Sequence, residues 1–196
     1  MKFRAVLVIA VGAALFFSAC SSSSNSDTSG IDTGKDYTLS VNLTDKPMMT
    51  PVQTVMVTIS SVRVHRSAAA GVGDPGWQEI PVAVGMPVDL MQLRGGVLKE
   101  LCREQLPPGT YQQVRLQMVP NAGTEPPYRN SVTMMGGAVQ PMDVPGGSIK
   151  IVHPFTIAAG SKTELVLDMD AAQSCRQRGN DTWNMQPVVT ASSHMM

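Results

Sequence analysis

The stretch "VQTVMVTISSVRVHR", residues 52 to 66, decides the fold. Val55, Val57 and Ile59 share one parity, and Val62 and Val64 share the other. Alternation with period 2 is the mark of a half-buried strand. The phase slips at Ser60-Ser61, so the strand carries a β-bulge there or bends from one sheet into another. A run this long that changes parity once belongs to an all-β domain whose strands serve two packed layers.

The flanking segments extend the pattern. In "YTLSVNLT" (37–44), Leu39, Val41 and Leu43 point one way and Thr38, Ser40 and Asn42 the other. "WQEIPV" (77–82) is a short strand, and "PVDLMQL" (87–93) follows a Gly-Met-Pro turn. "LPPGTYQQVRLQM" (106–118) is a turn followed by a strand, with Val114, Leu116 and Met118 on one face and Gln113, Arg115 and Gln117 on the other. "SVTMM", "AVQPMDV" and "SIKIVHPFTI" follow, divided by Gly-Gly and Pro-Gly turns, and "KTELVLDMD" alternates through Leu165 and Leu167. "TWNMQPVVTAS" holds Pro187 and therefore reads as an edge or bulged strand. Leu90, Leu93, Val97 and Leu101 recur at helical spacing, which predicts one short helix over Val97–Glu104, ended by Pro107. The expected fold is an all-β sandwich of about eight to ten mostly antiparallel strands with one short helix.

The beginning of the chain has a different character. Lys2 and Arg4 precede an uncharged apolar run from Ala5 to Phe17. Thirteen residues suit a secretory h-region and fall short of the ~20 needed to span a bilayer. Phe17-Ser18-Ala19-Cys20 resembles the lipobox of bacterial lipoproteins, in which the chain is cut before a cysteine whose thiol then carries lipid. The resemblance implies a signal peptide over 1–19 and a diacylglycerol-bearing Cys20. Several acyl chains, each burying methylenes at about 0.8 kcal/mol, make such an anchor durable. Residues 20–36, rich in Ser, Asp, Thr and Gly, form a flexible tether, and 37–192 form a single domain. Ser21 in place of Asp resembles the outer-membrane sort of two-membrane bacteria.

Composition narrows the function. The full chain has 15 basic and 15 acidic residues; without Lys2 and Arg4, 13 face 15, a formal charge of −2. No basic patch stands out in the linear sequence, which argues against nucleic-acid binding. Two cysteines remain besides Cys20. In an exported chain Cys102 and Cys175 most simply form a disulfide, worth about 4 kcal/mol for so long a loop; two buried thiols are the alternative.

Several stretches, in order, resemble an exported bacterial and archaeal domain, the domain-of-unknown-function family 4382. They are "LSVNLTDKP", "VMVTISSVRVHRS", "GWQEI", "VDLMQL", "LPPGTYQQVRLQM", "FTIAAGSKTELVLDMDA" and "NMQPVV", from Tyr37 to Val189. Members are commonly lipoproteins or secreted proteins, which agrees with the reading of Cys20. The resemblance carries no catalytic or binding residues with it.

The chemistry-bearing residues are few. "GVGDPG" (71–76) has the letters of a dinucleotide fingerprint, but Pro75 and the strand "WQEIPV" follow where a helix is needed, so it reads as a loop. There is no Gly-x-Ser-x-Gly elbow, and His65, His153 and His194 have no evident nucleophile or orienting carboxylate beside them. The expectation is a non-enzymatic protein, with an envelope hydrolase as the remote alternative. Asp168, Asp170 and Asp181 are the oxygen donors calcium favours, but the spacing fails an EF-hand, and capping of the turn after the strand is the plainer use. Methionine is unusually common: 14 residues against nine aromatics. Met48-Met49, Met134-Met135 and His194-Met195-Met196 offer thioethers and imidazole of the kind Cu(I) selects, while adaptable core filling is the competing use.

The expected role is therefore an outer-membrane-anchored module that binds an envelope protein or glycan or serves structurally, with copper handling as the alternative. Met48–Val52, Ala68–Trp77 and Asn121–Asn130 are the recognition loops this reading points to. Trp77 and Tyr128 are their amphipathic anchors, with core packing as the alternative use of each.

Overall fold

The computed structural model describes residues 39–46, 51–83 and 87–196, all within one compact unit. The expected signal peptide (1–19), Cys20, the expected tether (20–36) and Met48-Met49 lie outside the described residues. The described chain is a β-sandwich of thirteen short strands: β1 (Leu39–Asp45), β2 (Val52–His65), β3 (Gln78–Pro81), β4 (Pro87–Asp89), β5 (Lys99–Glu104), β6 (Gly109–Met118), β7 (Ser131–Met134), β8 (Val139–Asp143), β9 (Ser148–Ile157), β10 (Thr163–Met169), β11 (Cys175–Arg178), β12 (Thr182–Met185) and β13 (Val189–Met195).

One sheet has four strands in the order β13-β10-β1-β5. The other has nine, running β11-β12-β8-β7-β2-β6-β9, with β3 and β4 also paired to β2. Pairing is antiparallel except for β1–β10 and β8–β12. The core lies between the layers. Leu39, Val41 and Leu43 of β1 and Leu165, Leu167 and Met169 of β10 are buried, and so are Val55, Val57, Val62, Val64, Val114, Leu116, Ile149 and Ile151 of the larger sheet.

The parity slip in β2 is a bulge. Ile59 pairs with Met118 and Ser61 with Gln117, which leaves Ser60 as the extra residue. The extra residue returns Val62 and Val64 to the core side. The two halves of β2 have different neighbours: Val52–Thr58 pairs with β7 and β4, and Ile59–His65 with β6 and β3. Of the two readings of the slip the bulge holds: β2 stays within one sheet, and the bulge sits where the strand passes from one set of partners to the other.

Two expectations need correction. Lys99–Glu104 is strand β5, not helix. Gly95 and Gly96 take positive φ and break the chain before it, and β1 offers an open edge that Lys99 to Glu104 satisfies, burying Leu101 and Cys102. The helical spacing of Leu90 and Leu93 is used instead by a 3-10 turn at Leu90–Leu93, where residues three apart share a side. Asp89 caps it, accepting from the Met91 N–H at 3.1 Å. The one α-turn lies elsewhere, at Ala171–Ser174 (α1), capped by Asp170, which accepts from the Gln173 N–H at 2.9 Å. Asp170 thus fills the capping role expected of it.

The disulfide is the second correction. Cys102 and Cys175 are both free and buried. Cys102 lies opposite Val41 in the four-stranded sheet. Cys175 opens β11 at the far end of the larger sheet, its Sγ 3.7 Å from the Met142 Sδ. Burial pushes both thiols up to about 12, with Glu100 and Glu104 adding to it at Cys102 and Asp45 at Cys175. Neither is a ready thiolate. Pro187 marks a break: β12 ends at Met185 in the larger sheet, and β13 restarts at Val189 as an edge of the smaller one.

A buried carboxylate closes the end of β1. Asp45 shares the parity of Leu39, Val41 and Leu43 and so faces the core, with 3% of its surface exposed. Its Oδ1 accepts from the Ala171 N–H at 2.9 Å, while Oδ2 has no partner among the described residues. Burial, with added repulsion from Asp170 and Asp168, pushes its pKa up to about 6 against the opposing Ala171 and Lys46 N–H groups. The native state therefore holds this proton to a higher pH than the unfolded chain does. The contribution of Asp45 to stability falls as pH rises from about 4 to about 6 and stays lower above that. Asp45→Asn keeps the acceptor for Ala171 and removes the charge. Denaturation as a function of pH is expected to show the variant more stable than the wild type by about 1–3 kcal/mol at pH 8, with the gap closing below pH 4.

Candidate functional site

The segment between β6 and β7, residues 119–130, forms one wall of a concave site. Its two ends are held by asparagines. Asn130 is buried; its Oδ1 accepts from the Thr58 N–H at 3.0 Å and its Nδ2 donates to the Val119 carbonyl at 2.8 Å. Asn121 Oδ1 accepts from the Asn130 N–H at 2.7 Å, and its Nδ2 donates to the carbonyls of Asn130 (3.0 Å) and Met142 (3.2 Å). Thr58 Oγ1 adds a bond to the Arg129 carbonyl at 2.6 Å. A backbone that leaves a sheet must find partners for its polar groups, and here side-chain amides supply them. The loop is thereby fixed to β2 at its base.

The opposite wall is the β11–β12 hairpin. Its turn places Asn180 and Asp181 at φ of 63° and 54°, in the left-handed region that Asn and Asp tolerate better than other side chains. Thr182 Oγ1 donates to the Gly179 carbonyl at 3.1 Å. Gln140 of β8 ties the hairpin down: its Oε1 accepts from Trp183 Nε1 at 2.7 Å and its Nε2 donates to Asp181 Oδ1 at 3.2 Å.

Between these walls lies a cleft of about 400 Å³, lined by Pro120, Asn121, Asn130, Pro141, Met142, Val144, Trp183 and others, with Asp143 and Arg178 also on its surface. Asp143 and Arg178 are both exposed, and Arg178 is steadied by donating to Asn184 Oδ1 at 2.7 Å. A second groove of about 430 Å³ shares Pro141 and Thr182 with the first and holds Tyr128, Thr124, Val139 and Asp181. The two form one extended, bilobed depression. Its lining combines amide groups, the Trp183 and Tyr128 rings, the carboxylates of Asp143 and Asp181 with the Arg178 guanidinium, and apolar patches, which suits a polar ligand.

Of the two expected anchors, Tyr128 enters this depression, and of the three candidate calcium ligands, Asp181 does. Tyr128 is half-buried, its hydroxyl donating to the Thr124 carbonyl at 2.7 Å. Trp77 lies on another face. It is half-buried, donates to the Gly71 carbonyl at 2.8 Å, and has the guanidinium carbons of Arg63 and Arg115 at 4.8 and 5.4 Å from its ring and the His65 ring at 5.0 Å. "GVGDPG" is the loop expected of it, closed by Asp74 Oδ2 accepting from the Gly71 N–H at 2.9 Å. Gly76, at φ 95°, passes so close to His65 that a Cβ there would sit 3.2 Å from Nε2.

Among the described residues, Met134-Met135 and His194-Met195-Met196 are not brought together. Met134 is half-buried against the core and Met135 is exposed at the end of β7 in the larger sheet. His194, Met195 and Met196 are exposed at the end of β13 in the smaller one. The three aspartates also separate: Asp168 lies 4.0 Å from Lys46, Asp170 caps α1, and Asp181 holds Gln140. Among the described residues no three His, Cys, Asp or Glu side chains converge to hold a metal ion. His65 is bound into its own loop, with Nε2 3.0 Å from the Pro75 carbonyl and Nδ1 accepting from the Ser67 N–H.

Fold and depression together define a small all-β domain with a loop-walled depression on its surface. The family model described as Domain of unknown function (DUF4382) matches residues 37–187, and the chain belongs to that family. No curated protein and no solved structure matches the chain.

The roles of Asn121, Asn130, Gln140 and Arg178 were not foreseen in the sequence. The one available signal was an asparagine at each end of a Pro- and Gly-containing loop. Asn130→Ala removes the two side-chain hydrogen bonds that satisfy the Thr58 N–H and the Val119 carbonyl and is expected to destabilise the domain by about 2–4 kcal/mol in denaturant titration. Asn130→Asp is expected to cost nearly as much, since Oδ2 cannot donate to the Val119 carbonyl.

Proposed function

We propose that the chain is an exported lipoprotein, held through Cys20 on the outer membrane of a two-membrane bacterium, and that its domain is a non-enzymatic binding module. The ligand, an envelope glycan or a segment of an envelope protein, lies in the bilobed depression. The observation that carries this reading is the rigidity of both walls. The Asn121–Asn130 pair and Gln140 fix them without a ligand, so little ordering is left to oppose binding. The size of each lobe falls within the ~300–1,000 Å³ of ordinary ligand sites. The cleft lining, rich in Asn, Pro and Met, contains no histidine, lysine, cysteine or serine among the described residues, which favours recognition over acyl transfer.

A separate reading, copper handling, is supported by the exposure of Met195 and Met196 beside His194. Competition for Cu(I) no stronger than that of free methionine ends it.

Fractionation of cells tests the anchor: the wild type is expected in the outer-membrane fraction, and Cys20→Ala in the soluble or inner-membrane fraction as uncleaved precursor. A wild type that is soluble removes the lipoprotein reading. For the depression, envelope glycan fragments and peptides titrated against the labelled protein are expected to move the amide resonances of Asn121, Tyr128 and Arg178. Arg178→Ala and Tyr128→Ala are expected to weaken the tightest of them by about tenfold or more. Shifts confined to other faces would contradict the assignment.

A further inference from the structure

The outer face of the larger sheet carries a row of charge that neither the core nor the depression uses. Glu79 of β3 stands directly opposite Arg63 of β2, Arg63 opposite Arg115 of β6, and Arg115 opposite Lys150 of β9. Their neighbours in sequence, Ile80, Val62, Val64, Val114, Leu116, Ile149 and Ile151, face the core, so the four charged residues share the opposite side. One carboxylate thus meets three cations. Like charges directly opposite each other across strands destabilise a sheet, and two such pairs occur side by side.

The compensation within the chain is incomplete. Glu79 lies 3.8 Å from Arg63 Nε. Among the described residues the ion pairs are Lys46–Asp168, Arg63–Glu79 and Arg103–Glu100, and none involves Arg115 or Lys150. Arg115 has only 9% of its surface exposed. A guanidinium drawn that far from water needs strong partners, yet its Nη2 donates to the Ala70 carbonyl at 3.2 Å, its Nη1 reaches Ser148 Oγ only at 3.5 Å, and its Nε has no partner. The Trp77 ring supplies a cation–π contact to both arginines, which positions them but neutralises neither. Val72 holds Arg63 through its carbonyl at 3.1 Å. The arginines are therefore pre-ordered under the Ala68–Trp77 loop, and the surplus of two positive charges opens toward β9, where Lys150 is exposed and Ser148 half-buried.

We propose that Arg115, Lys150 and Ser148, with Arg63 behind them, form a binding site for a phosphate group. A phosphate monoester carries about −1.5 to −2 near neutral pH, which matches the surplus, and fork-like donors from arginine with a mobile ammonium beside them suit its oxygens. β9 is the last strand of the larger sheet, so the site is open to a free phosphate ester and to the phosphate of a lipid headgroup alike. This site is distinct from the depression walled by residues 119–130 and stands or falls separately from it.

Thermal unfolding of the mature protein in inorganic phosphate against chloride, at equal ionic strength, tests the site. A saturable rise in Tm is expected in phosphate. Lys150→Gln, at an exposed position, is expected to fold normally and to weaken the apparent affinity by about tenfold; Ser148→Ala is expected to weaken it less. Equal Tm in the two salts, or a phosphate effect that Lys150→Gln leaves unchanged, overturns the proposal. Vesicles distinguish the two sources of phosphate. A preference for phosphatidylglycerol over phosphatidylcholine that Lys150→Gln abolishes assigns the site to lipid headgroups, since a lipid anchor contributes equally to both vesicles. Lys150-dependent binding of glycerol phosphate without any vesicle preference assigns it to soluble esters.

Discussion

The hydrogen bonding of β2 is the constraint on which the rest of the domain depends. Its fourteen residues are flanked by β7 and β4 over the first half and by β6 and β3 over the second. Strand pairs on either side of the bulge extend outward from it, β7 to β8 and β12 in one direction and β6 to β9 in the other. Because side chains alternate faces, a strand serving both sets without an inserted residue would turn Val62 and Val64 to solvent. Ser60 is that inserted residue. A small hydroxyl suits it, donating to the Gln117 carbonyl at 3.2 Å while its own carbonyl accepts from the Val82 N–H at 3.1 Å.

The functional surfaces follow from the same strand. Thr58, just before the bulge, anchors the 119–130 segment through its N–H and its hydroxyl. Arg63, just after it, begins the cationic row on the outer face. One strand therefore sets the base of the depression and the edge of the charged face. The buried polar groups are concentrated where strands end and cannot complete their ladders. Asp45 finishes β1, Asn130 precedes β7, and Asp170 bridges β10 to α1. Asp45 is the one of these three left with an unpartnered carboxylate oxygen among the described residues, and its charge is carried at a cost to stability.

Alternation made much of the fold legible in the sequence. The strands at Leu39–Asp45, Val52–His65, Gly109–Met118 and Thr163–Met169 follow the parity of their valines and leucines, and the slip at Ser60 was visible before any partner was known. What pairing adds is not local. Lys99–Glu104 has helical spacing and becomes a strand because the edge of β1 is there to be filled. Cys102 and Cys175 are two thiols that the sequence alone would let pair, and only topology puts them on different sheets. The depression was half legible: the Asn121–Asn130 loop could be marked, but not that its terminal asparagines replace backbone. The charged row was hidden by the composition. Arg63, Arg115 and Lys150 are far apart in a chain of balanced charge, and register alone brings them side by side.

Native-state hydrogen exchange of the amides of β2 tests the central claim most directly. If one continuous strand holds both halves of the larger sheet, the amides of Val55 and Val57 and those of Val62 and Val64 exchange only through global unfolding, with the same opening free energy and the same dependence on denaturant. Opening of one half at a free energy lower by more than about 2 kcal/mol, while the other half remains protected, would contradict it. The domain would then be two sheets that meet at Ser60, not one sheet organised by a single strand.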